Sequence, residues 1–276
     1  MTDLTTYHSQ RLANWRQTPE TKLPGPDEAP ELIDRLGMVT LFPASPEVPN
    51  LYHAYMGDPD RKTDAKYDSP SGEVYTWRWS LGHKAAAFYT TLVKKRPTWI
   101  SWPLVPALLR LIAETRTAEE LYQAGELSEA ARRIARALSE NGGVLNTGDL
   151  RKKADFPTGK EYRAAYLKAV EELERRGYLA KVFSEREDDE EMYHAFIPVR
   201  YTDKLDAARQ MSETEARRQL LESYLSHAIY VLPVTLAKHL ELPKGSFAAE
   251  LEQLCTEGRV KKYASPDLKE PCYVSL

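Results

Sequence analysis

Cationic side chains are concentrated in one short stretch of the sequence, on predicted helices that follow one another closely. The candidate nucleic-acid contacts are Arg151, Lys152, Lys160, Arg163 and Lys168. Lysine and arginine neutralise phosphate charges, and the free backbone N–H groups of a helix start favour the same ligand. The stretch therefore predicts a phosphate-binding surface. The alternative is that these cations form the solvated face of a purely structural domain.

The elements around these cations follow the order of a winged helix-turn-helix. The predicted elements are a helix, a short strand, a short helix, a long helix and two β-type runs, at 128–140, 144–145, 147–154, 160–176, 178–183 and 192–197. Thr147 is the expected cap of the short helix. The long helix has an expected buried stripe of Tyr162, Tyr166, Ala169, Val170 and Leu173. In this kind of module the start of the long helix meets the base edges, which places Lys160 and Arg163 where DNA contact is expected.

The loop between the two β-type runs, 184–191, is the wing of this predicted module. It contains six carboxylates and a single cation, Arg186; the carboxylates belong to Glu185, Glu187, Asp188, Asp189, Glu190 and Glu191. Phosphates repel a loop of this charge. We therefore predict that any DNA contact is made by the long helix and not by the wing.

The last part of the chain repeats the same order of elements. The predicted helices are at 213–228, 233–240 and 246–257, and the strands are at 230–232, 259–263 and 272–276. Glu250, Glu252 and Glu257 are expected on the surface of the third helix, which contains no lysine or arginine. Such a helix is unsuited to reading a groove, so this unit is predicted to be structural or to face a protein partner.

The N-terminal region has a mixed pattern that includes a strongly aromatic segment. The alternation at 74–79 predicts a strand, followed by a helix at 83–95. Trp77, Trp79 and His83 are candidate pocket residues, because aromatic rings near cations can stack on exposed bases. The alternative is a half-buried strand with aromatic core residues. The predicted fold class is α+β, mainly helical, with tandem winged-helix domains at 126–200 and 210–276 behind a mixed α/β region at 1–125 that is itself expected to be winged-helix-like.

Composition excludes several classes of protein. The formal net charge is −3 and the isoelectric point is about 6.1, so DNA affinity requires a local patch. The two cysteines, Cys255 and Cys272, are too few for a disulfide framework, and no signal peptide or membrane span is recognisable. These features predict a cytoplasmic protein. The six histidines are scattered, and no metal-binding, phosphate-loop or dinucleotide motif is present, so no metal and no cofactor are expected.

The segment Leu36-Gly37-Met38-Val39-Thr40-Leu41-Phe42, ahead of two predicted winged helices, resembles the AlkZ/YcaQ-type winged-helix DNA glycosylases and the AlkZ-related proteins. The resemblance implies tandem winged helices around a concave DNA-binding surface. In the glycosylases, a Gln-apolar-Gln or Gln-apolar-Asp motif follows the Leu-Gly-apolar-apolar run. Here Thr40 and Phe42 occupy the two polar positions. Phenylalanine can neither position a water nor stabilise a developing sugar cation. The resemblance therefore implies the branch that lacks the catalytic motif.

Three hypotheses follow from the sequence. The first is a noncatalytic DNA-binding protein of the tandem winged-helix class, with duplex DNA as the partner. The second is a DNA glycosylase for alkylated DNA with rearranged catalytic residues, the candidates being Asp34, Glu47 and His83. The third is a protein-interaction scaffold, suggested by the acidic wing and the acidic last helix. The sequence decides neither the oligomeric state nor the preferred DNA sequence or lesion.

Overall fold

The computed structural model describes residues 4–157, 159–186, 188–264, 268 and 270–276, and for Glu161 the backbone only. The fold is mixed and mainly helical, with antiparallel sheets, which agrees with the predicted α+β class. The elements of the N-terminal region are α1 (Leu4–Asn14), α2 (Ala29–Leu36), β1 (Met38–Thr40), α3 (Leu51–Met56), α4 (Pro70–His83), β2 (Phe88–Thr90), β3 (Thr98–Ile100), α5 (Val105–Ile112) and α6 (Ala118–Gln123).

The rest of the chain contains the two repeated orders of elements. The central elements are α7 (Glu129–Glu140), β4 (Val144–Asn146), α8 (Thr147–Lys153), α9 (Lys160–Arg175), β5 (Leu179–Phe183) and β6 (Met192–Phe196). Two connecting helices follow, α10 (Ile197–Arg200) and α11 (Thr202–Gln210). The last elements are α12 (Glu213–Ala228), β7 (Tyr230–Val231), α13 (Pro233–His239), α14 (Ala248–Thr256), β8 (Val260–Tyr263) and β9 (Cys272–Ser275).

The predicted strand at 74–79 is wrong, because this segment forms part of helix α4. Ser69 caps the helix by accepting a hydrogen bond from the backbone N–H of Gly72, and Pro70 occupies the first turn. Its buried hydrophobic side chains are Val74, Trp77 and Leu81, at helical spacing. Aromatic residues also lie on the exposed side of this helix, Tyr75 among them, and they produced the misleading alternation.

The predicted helix at 83–95 is also wrong. Helix α4 ends at His83, and Ala85 has a positive φ of 45°, which interrupts any continuation. The next segment becomes strand β2, whose three residues are all buried. Its aromatic and β-branched side chains suit a strand that is covered on both faces. Tertiary packing therefore determines that this segment forms a strand, and local residue spacing does not show that packing.

Several finer predictions need correction. Asn146, and not Thr147, caps α8 by accepting from the N–H of Asp149. Tyr162 is 42% exposed and does not belong to the buried stripe of α9. Glu250 is buried, and its Oε1 accepts from Nε of Arg217 at 2.7 Å, so it is a packed ion-pair partner and not a surface charge. The last long helix begins at Ala248 without a side-chain cap.

Within the described residues, strands from the N-terminal and central regions form one antiparallel sheet in the order β1-β3-β2-β5-β6-β4. The pairing of Tyr89 in β2 with Lys181 in β5 joins the two regions. A separate sheet in the order β7-β9-β8 belongs to the last part of the chain. The hairpin of β5 and β6 is therefore held at its base by the N-terminal strands.

The main hydrophobic core is shared between the two ends of the chain. Helix α12 contributes Leu221 and Leu225 to the same cluster that contains Trp15, Trp77 and Trp99. A second core lies inside the central region, where α7 packs against α9. Helices α10 and α11 were not predicted; α11 packs against α5 and closes a third, smaller core.

Candidate nucleic-acid interface

The first half of α9 projects into solvent on nearly all sides. Among its described side chains from Lys160 to Lys168, Tyr166 is the one that is buried, and Leu167 is 51% exposed. The second half of the helix is different, because Ala169, Val170 and Leu173 pack into the central core. The helix is thus anchored by its C-terminal half and presents its N-terminal half as a free surface.

The predicted contacts on α9 are available for binding. Lys160, Arg163 and Lys168 are exposed, and none of them has a side-chain hydrogen bond or ion pair within the described residues. Gly159 precedes the helix and offers no side-chain cap, so the first N–H groups of α9 are not satisfied by a capping side chain. Positive charge and N–H donors without a cap from Gly159 therefore coincide at this end of the helix.

The two predicted contacts on α8 differ from each other. Lys152 is exposed, with no partner in the described part of the chain. Arg151 is half-buried; its Nη2 donates to the carbonyl of Pro157 at 2.6 Å, and its guanidinium lies 5.7 Å from the centre of the Tyr166 ring. Arg151 consequently ties α8 to the turn before α9, which positions the start of α9.

The wing is acidic, and part of its charge organises the turn. Asp188 pairs with Arg186 at 2.7 Å, and Asp189 accepts from the N–H of Glu191 and from the hydroxyl of Tyr193, both at 2.9 Å. These donors hold the pKa of both aspartates below the usual range. Glu185, Glu190 and Glu191 are exposed, without side-chain partners among the described residues, whereas Glu187 lies outside those residues.

A cleft of about 860 Å³ opens beside positions 40–42. Thr40 itself is fully buried, and its hydroxyl donates to the carbonyl of Pro49 at 3.3 Å. Phe42 faces the cleft, whose lining is Leu41, Phe42, Pro43, His53, Pro59, Asp60, Arg61, Lys62, Thr63, Asp64, Tyr75, Arg96 and Pro97. The motif position that points into the open space therefore carries a hydrocarbon ring.

The ionisable groups of the cleft do not form an acid–base pair. Both ring nitrogens of His53 are engaged: Nδ1 accepts from Asn50 Nδ2 and Nε2 donates to the carbonyl of Arg61, each at 3.1 Å. Burial lowers the pKa of His53. Arg61, Lys62 and Arg96 are exposed, and their side chains have no hydrogen-bond partner in the described residues. The cleft can attract an anion, but it has no poised proton donor in contact with Phe42.

The candidate pocket residues Trp77, Trp79 and His83 lie on α4 and do not line this cleft. Trp77 is buried against Tyr55, with 5.1 Å between the ring centroids. Trp79 contacts Phe183 edge-on at 5.3 Å, and Nδ1 of His83 lies 2.6 Å from the carbonyl oxygen of Ser184. Trp79 and His83 thus support the base of the wing.

The other candidate catalytic carboxylates are engaged elsewhere. Glu47 is held by the buried guanidinium of Arg11 at 2.8 Å. Asp34 is exposed and accepts from the hydroxyl of Ser101 at 3.1 Å. Neither residue lines the cleft beside Phe42. Their geometry is that of structural groups.

Sequence reasoning missed a strained turn that connects the cleft to α9. Lys94 and Lys95 both have positive φ angles, 47° and 58°, and such strain in non-glycine residues is often associated with functional sites. Lys95 forms an ion pair with Glu171 of α9, and the next residue, Arg96, lines the cleft. The Lys-Lys-Arg-Pro run was visible in the sequence, but its contact with α9 was not.

The model of the family described as AlkZ related matches residues 23–240. The chain belongs to the AlkZ-related family. No curated protein matches the sequence. The solved structure of the Streptomyces sahachiroi DNA glycosylase AlkZ is similar in fold, with a TM-score of 0.59 and 12% sequence identity. The match covers 99% of this AlkZ-related chain and 70% of that glycosylase chain.

Two further observations concern the described part of this AlkZ-related chain. No group of histidine, cysteine, aspartate and glutamate residues is arranged to hold a metal ion there. Likewise, none of the helices found in it is sufficiently long and apolar to cross a membrane. Of the two residues expected at the motif positions, Thr40 is buried and Phe42 faces the cleft.

Proposed function

We propose that this AlkZ-related protein binds duplex DNA through a central winged helix, with the first half of α9 as the recognition helix. The observation that carries the proposal is the projecting start of α9. Its cations Lys160, Arg163 and Lys168 lack partners in the described residues, and Tyr166 is the one described side chain from Lys160 to Lys168 that packs into the core. An exposed helix end with unpaired cations suits the major groove.

The winged-helix assignment rests on the order of the elements. Helices α7, α8 and α9 are followed by the hairpin of β5 and β6, and β4 pairs with β6 to complete a small sheet. The same order, with α12, α13, α14, β8 and β9, and with β7 pairing with β9, supports a second winged helix. We assign the regions 126–200 and 210–276 to these two modules, behind an N-terminal region at 1–125. A cytoplasmic location suits the two free thiols, Cys255 and Cys272.

We further propose that the protein does not excise bases. Thr40 is buried and donates to a backbone carbonyl, and Phe42 supplies neither charge nor lone pair to the cleft. A glycosylase needs polar groups that position water and stabilise the developing sugar cation. The candidate carboxylates are committed elsewhere, as Glu47 is to Arg11.

Fluorescence anisotropy with a labelled duplex at two salt concentrations tests DNA binding. We expect binding at low salt that weakens as the salt concentration rises, because phosphate contacts release counterions. Absence of binding at low salt, or binding that does not respond to salt, contradicts the proposal.

The second candidate function is a glycosylase with rearranged residues, and the open cleft beside Phe42 favours it. Incubation with alkylated duplex DNA, followed by a measurement of abasic sites, separates the two functions. We expect no abasic sites above the protein-free control. If abasic sites accumulate and the Phe42→Ala variant alters their rate, the cleft is catalytic.

The third candidate function is a scaffold that binds proteins. The last helix supports it less than its sequence suggested, because fewer of its acidic side chains are free. Glu250 is buried in an ion pair, and Glu257 pairs with Arg218. Much of the acidic charge is therefore neutralised within the chain. Light scattering and affinity capture of purified candidate partners, compared with the anisotropy result, distinguish a scaffold from a DNA-binding protein.

A further inference from the structure

A second cavity lies where α9 meets the N-terminal region and the turn that follows α13. Its volume is about 480 Å³, which is within the range of ~300–1,000 Å³ typical of small-molecule sites. The lining comprises Thr90, Thr91, Leu92, Lys95, Leu111, Ile112, Leu167, Val170, Glu171, Glu174, Arg175, Lys181, Leu240, Glu241 and Leu242. The proposed DNA-binding function does not use this space.

The charges around the cavity neutralise one another. Lys95 pairs with Glu171, Arg175 with Glu241 at 3.5 Å, and Lys181 with Glu174 at 3.2 Å. The remaining walls are mainly aliphatic. An ionic ligand would face an opposing charge beside each attractive one, so the cavity is suited to a neutral, partly apolar molecule.

Lys181 is a largely enclosed amine in the wall of the cavity. It lies on β5 with a side chain that is 16% exposed, and its Nζ is 3.2 Å from Glu174 Oε1 and 3.0 Å from His194 Nδ1. An ammonium group has three N–H donors. The two contacts leave one donor without a partner in the described residues, available to a carbonyl oxygen in the cavity.

The neighbours of Lys181 are themselves held in place. The hydroxyl of Thr91 donates to Glu174 Oε2 at 2.8 Å. His194 Nε2 lies 3.1 Å from the hydroxyl of Tyr166, and burial lowers the pKa of His194 to about 3, so its ring is neutral and can accept from Lys181. Burial also lowers the pKa of Lys181, although Glu174 opposes this effect. A larger fraction of the amine is therefore uncharged than in a solvated lysine.

We propose that this cavity binds a small neutral aldehyde or ketone, and that Lys181 holds the ligand as an imine. A desolvated lysine amine is the usual protein nucleophile for a carbonyl group. In the step, the uncharged form of the Lys181 amine attacks: its nitrogen lone pair forms a bond to the carbonyl carbon as the C=O π bond breaks. One N–H proton and one proton from solvent pass to the oxygen, which leaves as one water molecule. The product is a protonated imine, and no oxidant or reductant is consumed.

Reductive trapping on the wild-type full-length protein tests the proposal without any variant. The protein is incubated with benzaldehyde and cyanoborohydride, and modification of each lysine is followed by peptide mass spectrometry. We expect modification of Lys181 to saturate with benzaldehyde concentration and to be suppressed by benzamide, a non-electrophilic molecule of similar shape. Lys152 and Lys168 are solvated, so their modification is expected to rise in proportion to benzaldehyde concentration and to be unaffected by benzamide.

The proposal is overturned if Lys181 stays unmodified while the surface lysines react. It is equally overturned if the modification of Lys181 neither saturates nor responds to benzamide. Because duplex DNA is absent from this experiment, its outcome is independent of the DNA-binding proposal.

A variant of the neighbouring carboxylate adds a readout that a purely structural ion pair would not give. Glu174→Gln removes the anion that favours the charged amine, so the pKa of Lys181 should fall further. The other charged or titratable groups around the amine, His194, Lys95, Glu171, Arg175 and Glu241, are unchanged. We expect trapping at Lys181 to become several-fold faster at neutral pH, with its pH midpoint displaced downward. An unchanged midpoint contradicts the assignment, and Glu171→Gln on the rim is the matched control.

Discussion

At the scale of single residues, Arg11 is a fully buried charge whose guanidinium has several partners. Its side chain is fully buried, its Nη1 donates to Glu47 Oε2 and its Nε to the carbonyl of Ala228, both at 2.8 Å, and it stacks over Tyr230 at 3.4 Å. The hydroxyl of Tyr224 donates to the carbonyl of Glu47 at 2.7 Å. These contacts join the first helix, the loop before α3 and the end of α12.

Glu47→Gln is therefore expected to be strongly destabilising. Loss of one partner of a buried ion pair leaves an uncompensated charge and costs about 3–5 kcal/mol. Asp34→Asn, at an exposed position with one hydroxyl donor, is the control and should change the free energy of unfolding by less than about 1 kcal/mol. Urea denaturation at neutral pH measures both. If both variants change the free energy of unfolding equally and only slightly, Glu47 is not a structural ion-pair partner and is again a candidate catalytic group.

The buried histidines His194 and His227 predict acid sensitivity. Burial lowers the pKa of His194 and of His227 to about 3 each, against an ordinary value of 6.5. Below pH 6.5 the unfolded chain binds protons that the folded chain cannot, so stability is lost as the pH falls from 6.5 towards 3. Each histidine contributes about 1.4 kcal/mol per pH unit within this window.

Urea denaturation at pH 7, 6 and 5 measures this loss. His227→Gln, which can still accept the hydrogen bond from Trp15 Nε1, is expected to reduce the slope by the share of one histidine. A slope that does not change in this variant means that His227 is not neutral in the folded protein.

Residue types showed where charge and apolar stripes lie, but not which charges were already paired. Lys160 and Arg163 were predicted on the outer face of their helix and are exposed. Glu250 was predicted on the surface of α14 and is buried against Arg217 of α12. Its partner is 33 positions earlier in the sequence, so helical spacing alone could not identify it.

At the scale of elements, the hairpin of β5 and β6 is fixed in place by α4. Gly82 allows this close approach, because a Cβ at that position would lie 2.2 Å from two carbons of the Phe183 ring. Trp79 packs edge-on against the same ring. The contact connects the N-terminal region to the base of the wing.

Gly82→Ala should destabilise the protein by about 1–3 kcal/mol, because the ring of Phe183 has to move within a packed core. Gly148→Ala is the matched control: it too lies in a helix, and its added methyl would meet only Asn146 Oδ1, at 3.4 Å. The control should be neutral or stabilising by up to about 1 kcal/mol, since alanine favours helix. Thermal denaturation measures both variants; destabilisation by the two to the same extent would contradict the close packing.

For the wing, we predict that removing charged side chains strengthens DNA binding. Glu190→Ser with Glu191→Ser removes two exposed carboxylates while leaving the turn contacts of Asp188 and Asp189 intact. We expect tighter binding of duplex DNA at low salt, because repulsion of the phosphates is reduced, and a smaller difference at high salt. Weaker binding in anisotropy would show that the acidic wing contributes to recognition.

The central elements were predictable, whereas much of the N-terminal region was not. A helix was predicted at 128–140, and the structure confirms it as α7, with Ser128 as its N-cap. In α4 the aromatic residues occupy both the buried and the exposed sides, so the spacing resembled a strand. Helix α11 was not predicted, because its apolar stripe is short and its role becomes visible only where it packs against α5.

At the scale of the whole molecule, the central region is tied to its neighbours by a continuous sheet and by polar contacts. Tyr89 and Lys181 pair across the sheet, and the ion pairs Lys95–Glu171 and Arg175–Glu241 connect α9 to the regions on both sides. These contacts hold the C-terminal half of α9. The other half remains free, and the central claim is that this free half binds DNA.

The most direct test of that claim is the salt dependence of duplex binding for Lys160→Glu with Arg163→Glu. Neither side chain belongs to the core, so the variant should fold normally, as circular dichroism and thermal denaturation will show. The control is Lys244→Glu with Lys261→Glu, exposed cations of the last unit that lack partners in the described residues and give the same change in formal charge. It separates a local contact from a general change in net charge.

Anisotropy is measured on both variants and on the wild type across a series of salt concentrations. For the α9 variant we expect weaker binding and a slope of log affinity against log salt reduced by about one unit for each lost phosphate contact. The control should retain the wild-type slope. If the folded α9 variant binds with wild-type affinity and slope, α9 is not the DNA-binding element and the central claim is wrong.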